Sequence, residues 1–160
     1  MSTQPPVKIG EAWPGEGGIF AGTLRNPETG EIHHIIMHPQ ATNECRWGTY
    51  GKKIEGAGSY WDGASNTTAM RTSEQCSEII NAVAALSSID GHTDYHIPAQ
   101  AELNILCCNL RDMVEPNWHW SSTQCSSYTA WYQYFDSGFQ DVYYKGTQLA
   151  VRAVRRILAI

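Results

Sequence analysis

The side chains able to do chemistry in this chain are its six histidines, five cysteines and a few carboxylates. His33, His34 and His38 fall in one extended segment, where alternation puts His34 and His38 on one face. His92 and His96 are four residues apart but flank Thr93-Asp94-Tyr95, a turn-like stretch. Neither group has Cys or carboxylate partners at metal spacing, so the residues give no closed metal site. Cys125 near His119 suggests a thiol nucleophile with a base, yet no oxyanion element or orienting acid accompanies them. The tripeptide Glu115-Pro116-Asn117 matches that of a lectin sugar site, but it precedes the Trp118/Trp120 pair and lacks a cluster of oxygen ligands for calcium. It reads as a loop. Asn66-Thr67-Thr68 fits a glycosylation sequon and reads as loop polarity. Chemistry of the bond-breaking kind is therefore not expected, and no cofactor or metal is.

Recognition chemistry is another matter. The segment 117–149 holds five of the eight tyrosines and three of the six tryptophans, with many Ser, Thr, Gln and Asp and one Lys. Tyr and Trp supply large, stiff contact area, while small polar residues supply adaptable hydrogen bonds. That is the composition of a binding surface.

The elements that must carry these residues follow from pattern. Residues 1–17 read as an extended Pro/Gly-rich lead-in, and 18–160 as one domain. Residues 18–38 read as a hairpin around RNPETG. Residues 39–71 show no period and read as a long irregular segment. Thr72 with Gln75 matches a capping box. Behind it Cys76, Ile79, Ile80, Val83 and Leu86 recur at helical spacing, and Asp90-Gly91 closes the helix. A second helix starts at Pro98 and carries Leu103, Leu106, Cys107 and Leu110 on one side. Short strands follow, the last over 149–157. Within WYQYF, Trp131, Gln133 and Phe135 face one way and Tyr132, Tyr134 and Asp136 the other.

Bulk properties narrow the partners. A net charge of -5 opposes a nucleic-acid groove. No apolar run reaches the roughly 20 residues that span a bilayer, so membrane insertion is not expected. The N-terminus has no signal-peptide pattern, which implies synthesis in a cytoplasm. Five Cys without zinc spacing read as reduced, mostly buried thiols. Arg152, Arg155 and Arg156 read as partners of scaffold acids or of a neighbouring subunit. The apolar end 157–160 suggests docking onto the core or another protomer.

The chain resembles the DUF1566 family of C-type-lectin-like domains. The likeness is carried by Ile97-Pro98 with Ala101-Glu102-Leu103, Trp120-Ser121-Ser122, Ala130-Trp131 with Phe135 and Gly138, and Val151-Arg152-Ala153-Val154-Arg155. Trp13-Pro14-Gly15 and residues 17–22 look like short bacteriophage members. The resemblance implies an α+β, C-type-lectin-like fold, with two helices packed on short antiparallel strands and long irregular loops.

Residues 120–156 further resemble the variable region of retroelement-diversified proteins. There, adenine-directed mutation of selected codons changes some positions and spares a framework. The resemblance assigns the framework to Trp120, Ser121, Ser122, Ala130, Trp131, Gln133, Phe135, Gly138, Gln140, Lys145, Leu149, Val151 and Arg152. It assigns variation to Cys125, Tyr128, Thr129, Tyr132, Tyr134, Asp136, Ser137, Phe139, Asp141, Val142, Tyr143, Tyr144, Gly146 and Thr147, all but Cys125 being candidate ligand contacts. Tyr132, Tyr134, Tyr143 and Tyr144 stand out as contacts, with Trp131 and Phe135 holding the strand from behind. The implied function is recognition of a protein or glycan receptor on a cell surface by a virion-associated, phage-encoded protein, as a trimer or other homo-oligomer or within a phage particle. Two other readings remain at this point. One is a structural tail or particle protein whose aromatic stretch packs against a neighbour. The other is a hydrolase or formylglycine-type oxidase of the same fold class, which the lack of a paired-Cys active site opposes.

Overall fold

The computed structural model describes residues 5–159. The fold is mixed α+β: three α-helices among the described residues and three antiparallel sheets. The first sheet has the order β1-β2-β3-β9, from Ala12–Trp13, Gly18–Arg25, Ile32–Met37 and Val154–Leu158. β4 (Cys45–Arg46) pairs with β8 (Gln148–Leu149). The third sheet, β5-β6-β7, consists of Trp118–Gln124, Thr129–Tyr134 and Phe139–Tyr144.

The expected hairpin over 18–38 forms as β2 and β3. Its turn is built by the Asn26 carboxamide, which accepts from the Glu28 and Thr29 amides, and by Gly30 at φ +77°. The segment 39–71 is not wholly irregular. It ends in α1 (Gly63–Arg71), capped by the Asp62 carboxylate on the Ser65 amide. This makes three helices where two were expected. The capping position of the next helix also shifts. Thr72 ends α1, and Ser73 caps a 3-10 turn (Glu74–Cys76) that leads into α2 (Ser77–Ala84). α2 therefore ends well before Asp90-Gly91, which forms a separate tight turn at positive φ. α3 (Gln100–Leu110) starts two residues after Pro98 and buries Leu103, Leu106, Cys107 and Leu110 as expected. The final strand is split. β8 joins β4, residues 150–153 run buried between layers, and β9 then closes the first sheet against β3. Ile157 pairs with His34, Leu158 is half exposed, and Ile160 lies outside the described residues, as do residues 1–4 of the lead-in.

Two apolar clusters divide the core. One gathers Trp47, Met70, Ile79, Ile97, Trp120 and Val151; the other puts Ile35, Leu103, Leu106, Phe135 and Val154 between the first sheet and α3. Glu102 links the helices. Its carboxylate accepts from the Gly63 and Ala99 amides, both at 2.9 Å, and contacts His96 Nε2 at 2.9 Å. A Cβ at Gly63 would collide with that carboxylate and with the Ala99 amide, so glycine is required there. The sequon asparagine is part of this interior. Asn66 is fully buried in α1, bonded to Ser59 and to Ser122 Oγ, so it is not loop polarity.

The terminal arginines pair with scaffold acids. Arg152 makes a bidentate contact with Glu115 at 2.9 and 3.1 Å, Arg155 meets Glu16 and Asp94, and Arg156 meets Asp62. Among the described residues no helix is long and apolar enough to cross a membrane.

Candidate functional site: an aromatic face on the third sheet

Position in the β5-β6-β7 sheet decides how its residues are used. β5 is enclosed: Trp118 and Gln124 at its ends are half buried and every residue between is buried. Its main chain also bonds beyond the sheet, Trp120 to Ala150, Ser122 to Pro98 and Gln124 to Ala57. β7 lies at the sheet margin, and none of its residues is fully buried.

Register sorts the side chains. Trp118 lies opposite Tyr134, Trp120 opposite Tyr132, Tyr134 opposite Phe139, Tyr132 opposite Asp141 and Ala130 opposite Tyr143. Cross-strand partners share a face, so these residues form one side of the sheet. Gln133, Gln140, Trp131, Val142 and Tyr144 belong to the other side. There Gln133 bonds to Asn104 of α3 and to Gln140, and Gln140 bonds to Gln100. Phe135 is fully buried behind the strand, as expected, whereas Trp131 is half-buried.

The aromatic rings form a continuous path. Tyr132 stacks on Trp118 at 5.1 Å, and Tyr143 contacts both. Tyr143 touches Tyr144 at 6.1 Å, Tyr144 touches Tyr50 at 5.8 Å, and Tyr50 touches Tyr128 at 5.0 Å. The path begins half-buried and ends in solvent. Tyr50, Tyr128 and Tyr144 are 57%, 50% and 58% exposed, and Phe139 is 55% exposed. Tyr50, Tyr144, Gly146 and Thr147 line an open depression of about 340 Å³. Beside it, a polar groove of about 510 Å³ shares Tyr50 and Gly146 and adds Arg46, Glu74, Gln75 and Glu78.

Tyr132 corrects the expected contact set. It is only 6% exposed and packs in the core cluster with Trp118 and Tyr143. Burial, then the nearby Asp141 and Tyr143, raises its pKa and keeps the phenol neutral. Tyr134 and Tyr143 are half-buried and show only part of their rings. Tyr50 was missed because it lies in the segment 39–71, which has no period; its only signal was the Trp/Tyr/Gly content of that stretch.

The other positions divide by burial. Of the framework residues, Trp120, Ser121, Ser122, Ala130, Gln133, Phe135, Lys145, Leu149, Val151 and Arg152 are buried, and Trp131, Gly138 and Gln140 are half-buried. Of the residues assigned to variation, Cys125, Tyr128, Asp136, Ser137, Phe139, Asp141, Tyr144 and Gly146 are exposed. Thr129, Tyr134, Val142, Tyr143 and Thr147 are half-buried, which leaves Tyr132 alone in the interior.

Buried polar groups hold the loops beneath this face. Lys145 is fully buried with Nζ on the Lys52 carbonyl at 2.8 Å, on Gln124 Oε1 at 2.6 Å, and over the Trp47 ring. Desolvation lowers its pKa to about 8. The Gln124 carboxamide also clamps Ile54 through both its main-chain groups. Trp47 Nε1 donates to the Ser121 carbonyl and Trp120 Nε1 to the Cys45 carbonyl. These contacts tie the 45–57 loop, which carries Tyr50, to β5.

Four of the histidines bond to scaffold groups. His34 meets Thr23, His38 meets Ser87 and Gln40, His92 meets Gly15, and His96 meets Glu102. Among the described residues no group of three His, Cys, Asp or Glu could hold a metal. Cys125 is exposed in the β5–β6 turn, while His119 is fully buried near the other end of β5. Desolvation lowers the His119 pKa to about 4. All five cysteines are free, with Cys45, Cys76 and Cys107 buried. Burial pushes the Cys45 and Cys76 thiols up to about 12 and 11, where they are inert. Glu115 is held by Arg152, whose hydrogen bond lowers its pKa.

No family model and no curated protein matches this chain.

Proposed function

We propose that this chain is a ligand-recognition module in which a C-type-lectin-like scaffold displays the exposed positions of residues 117–149 as a diversified aromatic and polar surface. The observation that carries this reading is the agreement between two independent sortings. The positions that family likeness assigns to framework are buried or, at Trp131, Gly138 and Gln140, half-buried, and none is exposed. Those it assigns to variation are, Tyr132 apart, wholly or partly exposed. Substitution at exposed positions rarely unfolds a domain, so such a face can change while the scaffold persists.

The contacts are Tyr50, Tyr128, Tyr134, Phe139, Tyr143 and Tyr144, with Asp136, Asp141, Ser137, Thr129, Val142, Gly146 and Thr147 around them. Rings already packed on one another lose little freedom on binding, which suits a hot spot. The target is a protein or glycan on a host cell surface, and the module acts without catalysis as part of a phage particle, as a homo-oligomer.

The test is binding of the purified chain to a glycan array and to host surfaces, beside a Tyr50→Ser/Tyr128→Ser/Tyr144→Ser variant. These three rings are exposed, so the variant should melt within a few degrees of wild type. Lost binding in that folded variant supports the reading. Undiminished binding contradicts it.

A further inference from the structure

We infer that the outer edge of β7 is a docking strand for an extended, lysine- or arginine-bearing polypeptide segment that adds antiparallel to the sheet. This rests on the recognition reading above and names the class of partner.

The sheet edges differ in protection. β1 has only two residues. β9 carries Arg155 and Arg156, and its start is bonded in both directions to His96. The outer side of β5 is filled by bonds to Ala150, Pro98 and Ala57. β7 has six residues, FQDVYY, with no Pro and no Lys, and it pairs to β6 without a register shift. Natural edge strands usually carry such blocking devices, and this one lacks most of them.

The phase of the ladder shows which groups face out. The Lys145 amide donates to the Tyr128 carbonyl, one step beyond the Thr129–Tyr144 pair. Bonded and non-bonded pairs alternate along an antiparallel ladder. Gln140, Val142 and Tyr144 therefore turn their main-chain groups away from β6. Local bonds agree with this phase. The Val142 amide meets the Asp141 carboxylate at 2.7 Å, and the Tyr144 carbonyl accepts from the Thr147 amide. Asp141 thus occupies the place that a partner strand's carbonyl would take.

Charge names the partner. The exposed charges of this hairpin are Asp136 and Asp141, because Lys145 is buried. An added strand with Lys or Arg beside Asp141 meets opposite charge across the ladder. Main-chain bonds give affinity that does not depend on side-chain identity, while alternate side chains set specificity. A diversified strand benefits from that division, since Phe139, Asp141 and Tyr143 can change without losing the edge.

The test is an amide-resolved NMR titration of the full chain with a capped ten-residue peptide alternating Lys and Val, and with its Glu/Val counterpart. The expected result is saturable shifts at Gln140, Val142 and Tyr144 with the Lys peptide, and at least tenfold weaker binding of the Glu peptide. Val142→Pro blocks an outward amide without cutting the β6 ladder, and should weaken Lys-peptide binding at least tenfold. Asp141→Lys keeps the backbone intact and should reverse the peptide preference. Shifts absent from β7, or an unchanged preference in Asp141→Lys, overturn the inference. So does a homodimer that Val142→Pro dissolves, because the edge would then serve a second copy. If array or cell-surface targets bind Val142→Pro and wild type equally, the edge fails while the recognition reading stands. If the triple tyrosine variant keeps its target, the recognition reading fails on its own.

Discussion

β5 and β7 belong to one sheet and are separated by fewer than twenty residues, yet they obey opposite rules. β5 is bonded on both sides, and its buried Ser121, Ser122 and Thr123 each hold another segment. β7 is bonded on one side and exposes Phe139, Asp141 and Tyr144. Both strands are rich in aromatic residues. What distinguishes them is the second side of the ladder: β5 bonds beyond its sheet to Ala150, Pro98 and Ala57, whereas the outward bonds of β7 are local, from the Val142 amide to Asp141 and from the Thr147 amide to the Tyr144 carbonyl.

The sharpest way to break this contrast is to cut matched rings from the two strands. Trp120→Ala removes a fully buried indole and its bond to Cys45. It should cost about 3–5 kcal/mol, while Phe139→Ala should change stability by less than about 0.5 kcal/mol. Chemical denaturation of both variants measures the difference, and equal costs would erase the distinction.

The next effect is pH dependence from β5. Burial keeps His119 neutral in the fold, lowering its pKa from the ordinary 6.5 to about 4. Above pH 6.5 neither state takes up the proton and stability is full. Between 6.5 and 4 only the unfolded chain is protonated, so stability falls as pH falls. The loss should approach about 3 kcal/mol at pH 4. His119→Gln should flatten that slope in a pH series of denaturant melts, and an unchanged slope would remove His119 as its cause.

A smaller effect is expected from Lys145→Met. This change removes the bonds to Lys52 and Gln124 but also relieves a buried charge. The net cost should be about 1–3 kcal/mol, and amide exchange should quicken in the 45–57 loop. The smallest effect sharpens the other side of the comparison. Single serine substitutions at Tyr128, Phe139 and Tyr144 should each move stability by less than about 0.5 kcal/mol.

Much of the frame was legible in the sequence. The 18–38 hairpin announced itself through Asn-Pro and Thr-Gly turn chemistry, and α3 through the spacing of Leu103, Leu106 and Leu110. α1 was hidden because its inward face is polar. Asn66 and Thr67 are buried for hydrogen bonding, so no apolar period marks the helix. Tyr132 was misplaced for a different reason. Alternation paired it correctly with Tyr134, but whether a face is covered depends on Trp118 and Tyr143, which pattern within one strand cannot position. Tyr50 joins the face only through folding of a loop without period.

The most direct test of the central claim is to randomise Cys125, Tyr128, Asp136, Ser137, Phe139, Asp141, Tyr144 and Gly146 together and select for binding to an unrelated protein. Separation of scaffold from face predicts new binders that melt within a few degrees of the parent. Failure of the library to fold, or folded members that yield no new specificity, would contradict it.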